Sequence, residues 1–239
     1  PNMAPVEEFL PFIVVSVGLD EAGALDANLA LLGPIARPSR EIAAVTASIT
    51  AGATDPDMII DRTARWVESH VREGHGEPTL ALLTGQGTRT GLITALLRAA
   101  GLDTKLVLAR TGRESKIEPP YPDPRRFDDV MIRVDLPGGA HRWIFASGTA
   151  ISWGLAPPPY RGGSYVIADP APPGAPKIAL FAPEEIASWR VASKATLELD
   201  PAGNATGRME IEFPGLIGAS VRQGFRPLRK EDIARMLQG

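Results

Sequence analysis

Hydrophobic and polar positions recur with two different periods along this chain. Helical spacing predicts helices over residues 37–51, from Asp55 onward, and over residues 89–100. Ser39 and Asp55 are suited to cap the first two helices, because their side-chain oxygens can accept from backbone N–H groups. Residues 78–84 are apolar but too few to separate a strand from a buried helix.

A two-residue period predicts the strands. Alternation on both sides of the turn at Pro137, Gly138 and Gly139 is typical of a β-hairpin. The segments with strand character before the proline-rich linker at 170–176 are 9–17, 105–110, 130–136, 141–145 and 164–168. Together with the helices, they predict a mixed α and β chain.

The tail carries a second hairpin pattern, in which residues 191–199 and 205–213 flank a turn. Alternate residues in the second arm are apolar and acidic, which predicts an antiparallel pair with one wet face. Too few strands follow for an independent sandwich. We therefore divide the chain into a core at 1–175 and a β-rich extension at 176–239, which we interpret as part of a second domain.

Composition removes several functional classes. The chain has 239 residues and a net charge of -3, and its lysines and arginines are scattered, so it does not resemble a nucleic-acid binder. It has no cysteine, which excludes disulfides, thiolate zinc sites and a cysteine nucleophile. No apolar run reaches the roughly 18 residues of a membrane span. Because the sequence opens on Pro1, we expect a piece of a longer protein.

The turn Gly85-Gln86-Gly87 supports one hypothesis about a ligand. If residues 78–84 form a strand, this turn joins a strand to a helix and could place a pyrophosphate at the helix N-terminus. Arg110 could then meet a 2′-phosphate. The hypothesis is an NADP-type nucleotide-binding domain, although the alternating strands and helices of such a domain do not continue beyond Arg110.

A second interpretation comes from three short sequence motifs that follow one another along the chain. They are Gly85-Gln86-Gly87-Thr88-Arg89 with the helix end Leu96-Leu97-Arg98-Ala99-Ala100-Gly101, then Phe127-Asp128-Asp129-Val130, then Trp143-Ile144-Phe145. Over about residues 35–169 they resemble bacterial transglutaminase-like domains. This resemblance implies an α+β fold, a papain-like core of helices packed on an antiparallel sheet, followed by a short β-rich C-terminal extension.

The resemblance also implies a degenerate catalytic triad. Gly87, Asp129 and Phe145 stand where the family has its nucleophilic cysteine, its histidine base and the aspartate that orients this base. Glycine cannot attack, an aspartate with a pKa near ~3.9 is a poor base at neutral pH, and phenylalanine cannot accept a hydrogen bond. We therefore expect a pseudoenzyme whose three positions meet at one cleft.

Such a module is expected to bind a protein or peptide partner, or to act as a scaffold, without a cofactor. The expected ligand-binding residues in the leftover cleft are Gln86, Asp128, Asp129 and Trp153. No metal site is predicted, since His70 and His75 lack the spacing of a helical metal-binding pair. A site centred on His141 is a minor alternative, and a structural spacer in an envelope protein is another. By family resemblance we expect a periplasmic or cell-envelope location, with a cytoplasmic one still open.

Overall fold

The protein is described by a computed structural model over residues 36–112, 127, 129–146, 151–169, 178–187 and 191–213, with scattered positions between 217 and 235. The predicted strand at 9–17 and Asp128 lie outside these residues. The fold is α+β, as the sequence predicts. Its helices come first along the chain and pack on one side of an antiparallel sheet.

Four α-helices precede the sheet in the described part of the chain. They are α1 (Arg40–Ile49), α2 (Pro56–His70), α3 (Pro78–Thr84) and α4 (Arg89–Ala99). Ser39 and Asp55 cap α1 and α2 as predicted, since their side chains accept from the backbone N–H groups of Ile42 and Met58.

Between the helices lies a short parallel pair, β1 (Arg72–Glu73) with β2 (Gln86–Gly87). The large sheet contains six strands in the described residues, in the order β6-β5-β4-β3-β7-β8. Their bounds are β3 (Asp103–Arg110), β4 (Asp129–Asp135), β5 (His141–Phe145), β6 (Ser152–Gly154), β7 (Ser164–Asp169) and β8 (Ala179–Leu180). All neighbouring strands in it are antiparallel.

Both faces of this sheet are covered. Leu106, Ile132 and Ile144 point to the helices and share a core with α4. The alternate residues point the other way, and Met131 and Trp143 belong to a second buried cluster with Tyr160, Tyr165 and Phe181. Because successive residues of a strand face opposite sides, this register decides which side chains can meet the N-terminus of α4.

Residues 78–84, which the sequence left ambiguous, form helix α3 and not a strand. The nucleotide hypothesis needs a strand before the glycine turn, and the structure contradicts that requirement. The large sheet is also antiparallel, whereas a dinucleotide-binding sheet is mostly parallel. The correction has a local cause: Pro78 starts the helix, and Gly85, at a φ of 69°, ends it in the left-handed region.

The core continues past the expected boundary after residue 175. Strand β8 pairs with β7, and Phe181 and Ile186 are buried in the second cluster. The β-rich extension then forms a separate two-stranded ribbon, β9 (Ala192–Leu199) with β10 (Ala205–Glu212), as the hydrophobic alternation predicts.

Candidate functional site

The N-terminus of α4 is built by the turn that carries Gly87. Strand β2 pairs with β1, so Gly87 lies beside Glu73, and the N–H of Gly74 donates to the carbonyl of Gly87 at 3.0 Å. Gly85 closes α3 near the carbonyl oxygen of His70, 3.1 Å from where a Cβ would stand. The turn is therefore fixed by backbone contacts on both sides.

Gly87 is buried, and there is no room for a side chain at this position. A Cβ on Gly87 would stand 2.5 Å from the Cβ of Ala81 and 3.1 Å from its Cα. Real Cβ atoms essentially never approach so closely, and a helix residue such as Ala81 cannot retreat without moving α3. A nucleophile at this position would have to displace a helix.

Charged groups surround this turn, and sequence reasoning did not single them out. Arg89 is buried and donates from Nε to the carbonyl oxygen of Val71 at 2.7 Å. Partial burial raises the pKa of the Glu73 carboxyl, while the charge and backbone N–H of Arg89 and the charge of His75 oppose that shift. Nothing in the local sequence marks Glu73, because only the pairing of β1 with β2 brings it to the helix that Arg89 begins.

Thr88 is the residue before α4, but its side chain does not cap the helix. Its hydroxyl donates instead to the carbonyl oxygen of Gly74 at 3.4 Å. Gln86 is exposed beside Gly74, and its Cγ would lie 3.1 Å from a Cβ at that position. The exposed side of the turn therefore presents polar groups, among them Gln86 and Glu73.

Exposed leucines on α3 adjoin these polar groups. Leu80 and Leu83 have 52% and 72% of their surface accessible, although they belong to the helix that leads into Gln86. Gly76 lies against Leu80, since a Cβ at Gly76 would stand 3.5 Å from its Cδ2. Helix α3 and the turn that follows it thus expose two leucines together with amide and carboxylate side chains.

The other two triad positions lie elsewhere. Asp129 is half-buried and accepts a hydrogen bond from the Tyr160 hydroxyl at 2.7 Å, and Phe145 packs near the same ring at 6.2 Å between centroids. Both therefore belong to the sheet face that points away from the helices. The structure does not bring Gly87, Asp129 and Phe145 to one cleft, because the sheet register turns the last two away from α4.

Trp153 lies neither at the α4 turn nor on the far face of the sheet. It is half-buried in β6 at the edge of the sheet, opposite Ile144, and packs against the core on the helical side. The neighbouring backbone N–H of Ile151 donates to Glu68 of α2 at 3.4 Å. The residues expected to form one ligand-binding cleft are thus divided between the α4 turn, the far face of the sheet and its edge.

Two of the three histidines have structural partners. His70 stacks on Trp66 at 4.5 Å between ring centroids, which anchors it at the end of α2. His141 contacts the Glu185 carboxylate through Nε2 and meets Trp143 edge to face at 5.6 Å between ring centroids. In the residues that the structure describes, no group of three or more histidine, aspartate or glutamate side chains is placed to hold a metal ion.

No protein-family model matches the chain, and no curated protein matches it. A solved structure from Parabacteroides distasonis, described as a "putative protease", is similar with 11% identity and a TM-score of 0.47. The match covers 63% of this chain and only 30% of that protein, and a likeness of this quality carries no argument about activity. Across the described residues, none of the helices has the length and hydropathy needed to cross a membrane.

Proposed function

We propose that this chain is a non-catalytic binding module that holds an extended polypeptide at the α4 turn. The observation that carries the proposal is the closed position of Gly87, at the helix N-terminus where the resembling enzymes have their nucleophile. This position has no side chain and no space for one, since its Cβ would stand 2.5 Å from that of Ala81. The absence of cysteine from the whole chain supports the same conclusion independently.

The positions of Asp129 and Phe145 support the absence of catalysis. A general base must lie within hydrogen-bonding reach of the group it activates. Asp129 instead bonds Tyr160 on the far side of the sheet. Restoring one catalytic residue would therefore not restore a triad, because the remaining partners belong to a different face.

An amine-incorporation assay and a casein-cleavage assay test the catalytic part. We expect no turnover above the buffer rate for the natural chain or for Gly87→Cys, checked by circular dichroism for folding. Turnover by the natural chain that disappears on changing Asp129 to Asn would contradict the proposal. If Gly87→Cys fails to fold, the natural chain alone still decides the outcome.

The binding part is tested with an immobilised library of random unstructured heptapeptides. The exposed leucines are the expected anchors, so Leu83→Glu should abolish peptide retention. Leu180→Glu is the matched control, because Leu180 is also 72% exposed but lies in β8, at the edge of the sheet. Retention of no peptide by the natural chain would reject this role and favour the structural-spacer hypothesis.

The nucleotide alternative has lost its structural basis, because the required strand is helix α3. We expect calorimetric titration with NADPH to show no saturable binding. Saturable binding of NADPH by the natural chain would revive that alternative against the peptide-binding proposal.

A further inference from the structure

The N-terminus of α4 receives its cap from a different element. A helix leaves its first backbone N–H groups without partners inside the helix, and the side chain of the preceding residue normally accepts from one of them. Thr88 holds that position, but its hydroxyl donates to the carbonyl oxygen of Gly74 at 3.4 Å. The carboxyl of Glu73, in β1, accepts instead from the backbone N–H of Arg89, the first residue of α4.

This contact places a negative charge where a helix favours one. The aligned peptide dipoles make the N-terminus of a helix partly positive, so carboxylates are stabilised there. Glu73 is the strand partner of Gly87, which fixes its backbone beside the turn. The anion position of α4 is therefore filled by a carboxylate of the chain itself, and a ligand carboxylate that approaches it meets a like charge.

The positive groups around Glu73 do not fully compensate its charge. Burial raises the pKa of the Glu73 carboxyl, and the charge and backbone N–H of Arg89 and the charge of His75 offset only part of this rise. Arg89 is itself buried, with its Nε donating to the carbonyl oxygen of Val71 at 2.7 Å. Arg72 precedes Glu73 in β1, so its side chain points to the opposite face of the strand. Because Glu73 is exposed on its solvent side, a ligand can reach this carboxyl.

We propose that Glu73 sets the specificity of the α4 turn, which binds polypeptides through a lysine or arginine side chain and rejects acidic ones. This inference rests on the proposed peptide-binding function and names the chemistry of the partner. A ligand cation beside the Glu73 carboxylate supplies the positive charge that its surroundings lack. A ligand carboxylate meets repulsion from Glu73 and a helix N-terminus that is already occupied.

Fluorescence anisotropy with two labelled heptapeptides of serine and leucine tests this specificity. The peptides differ only at the central residue, which is lysine in one and glutamate in the other. The natural chain should bind the lysine peptide at least about fivefold more tightly, because an exposed ion pair contributes up to roughly that factor and the glutamate peptide adds repulsion. Glu73→Gln, which keeps the shape of the side chain, should lose this preference.

Glu77→Gln is the matched control. Glu77 is also exposed, but it lies outside β1, at the residue before α3, so the same change of charge should keep the preference. Equal binding of the two peptides by the natural chain would overturn the specificity and leave peptide binding intact. An equal loss of preference in both variants would overturn the assignment to Glu73, and binding of neither peptide would reject the proposed function together with this inference.

Nuclear magnetic resonance tests the contact without any ligand. Protonation of Glu73 should shift the backbone N–H resonance of Arg89, with a midpoint above the ordinary glutamate pKa of 4.5, because burial raises the pKa of Glu73. Glu73→Gln should lose this shift while keeping His75, which separates the two titrations. An Arg89 resonance that does not follow Glu73 would overturn the role of this residue. If the variant does not fold, the peptide preference and the Arg89 titration of the natural chain decide the outcome.

Discussion

The large sheet and the β9–β10 ribbon are both antiparallel and both alternate apolar with other residues, yet they end in opposite environments. In the large sheet, Ile132 faces the helices and Met131 faces the aromatic cluster, so both are fully buried. In the ribbon, the apolar side chains remain exposed. The difference teaches that a strand pattern specifies which residues share a face and not whether anything covers that face.

Truncating an apolar side chain should give the largest difference in stability between the sheet and the ribbon. We expect Ile132→Ala to lower the free energy of unfolding by about 2–5 kcal/mol, because it leaves a cavity between sheet and helices. Leu197→Ala should change it by less than about 0.5 kcal/mol, since an exposed side chain loses little on truncation. Urea unfolding measures both changes, and similar costs for the two variants would refute the contrast.

Adding a methyl group at the buried Gly87 should have the next largest effect on the free energy of unfolding. Gly87→Ala is expected to cost about 1–3 kcal/mol, because its methyl group collides with Ala81. Gly74→Ala is the control in the same turn, since its nearest neighbour at 3.1 Å is the flexible Gln86 side chain. Combining Gly87→Ala with Ala81→Gly should cost less than the sum of the single changes in a thermal-unfolding double-mutant cycle. Strict additivity would show that the two residues do not collide.

Removing an ion pair should give the smallest difference in stability between the large sheet and the ribbon. Burial raises the pKa of Asp135, but hydrogen bonds and charges from Arg133 and Lys105 outweigh it, so the pKa lies below its usual value. The Asp135 carboxylate therefore stabilises the fold fully above the ordinary aspartate pKa of 3.8. This stabilisation is lost as the pH falls through the lower pKa that Asp135 has in the folded chain.

At neutral pH we expect Asp135→Asn to cost about 1 kcal/mol, since the carboxyl is largely but not completely shielded from water. Chemical unfolding at a series of pH values should show that the variant lacks part of the acid-dependent loss. Glu210→Gln in the ribbon should have no measurable effect, because its partner Arg208 is exposed. A flat difference between Asp135→Asn and the natural chain across this pH range would contradict the assignment.

The helices and strands could be predicted well because their signals are local. Ser39, Asp55 and Pro56 mark helix starts by chemistry that works within one turn of backbone. The hairpin formed by residues 130–136 and 141–145 could be placed from alternation and its glycine turn. Residues 78–84 could not be assigned, because a short apolar run fits both a strand and a buried helix.

The candidate site was predicted less well. Gly87 could be picked out by its glycine-rich turn, but that Ala81 fills the space beside it depends on the packing of α3 against the turn. Asp129 and Phe145 were expected at the same cleft, and a single step of register in β4 and β5 decides which face they take. Glu73 carries no local signal and becomes a neighbour of Arg89 only through the pairing of β1 with β2.

By itself, the sequence determined most of the longer helices and strands, the sorting of the ribbon into apolar and charged faces, and the absence of any thiol chemistry. These properties follow from side-chain identity and from backbone periodicity, which act over a few residues. Only the tertiary structure decided that a side chain at position 87 has no room, that Asp129 accepts a hydrogen bond from Tyr160, and that the ribbon's apolar face is exposed in the described structure. Those properties depend on contacts between residues far apart in the chain, which no local pattern encodes.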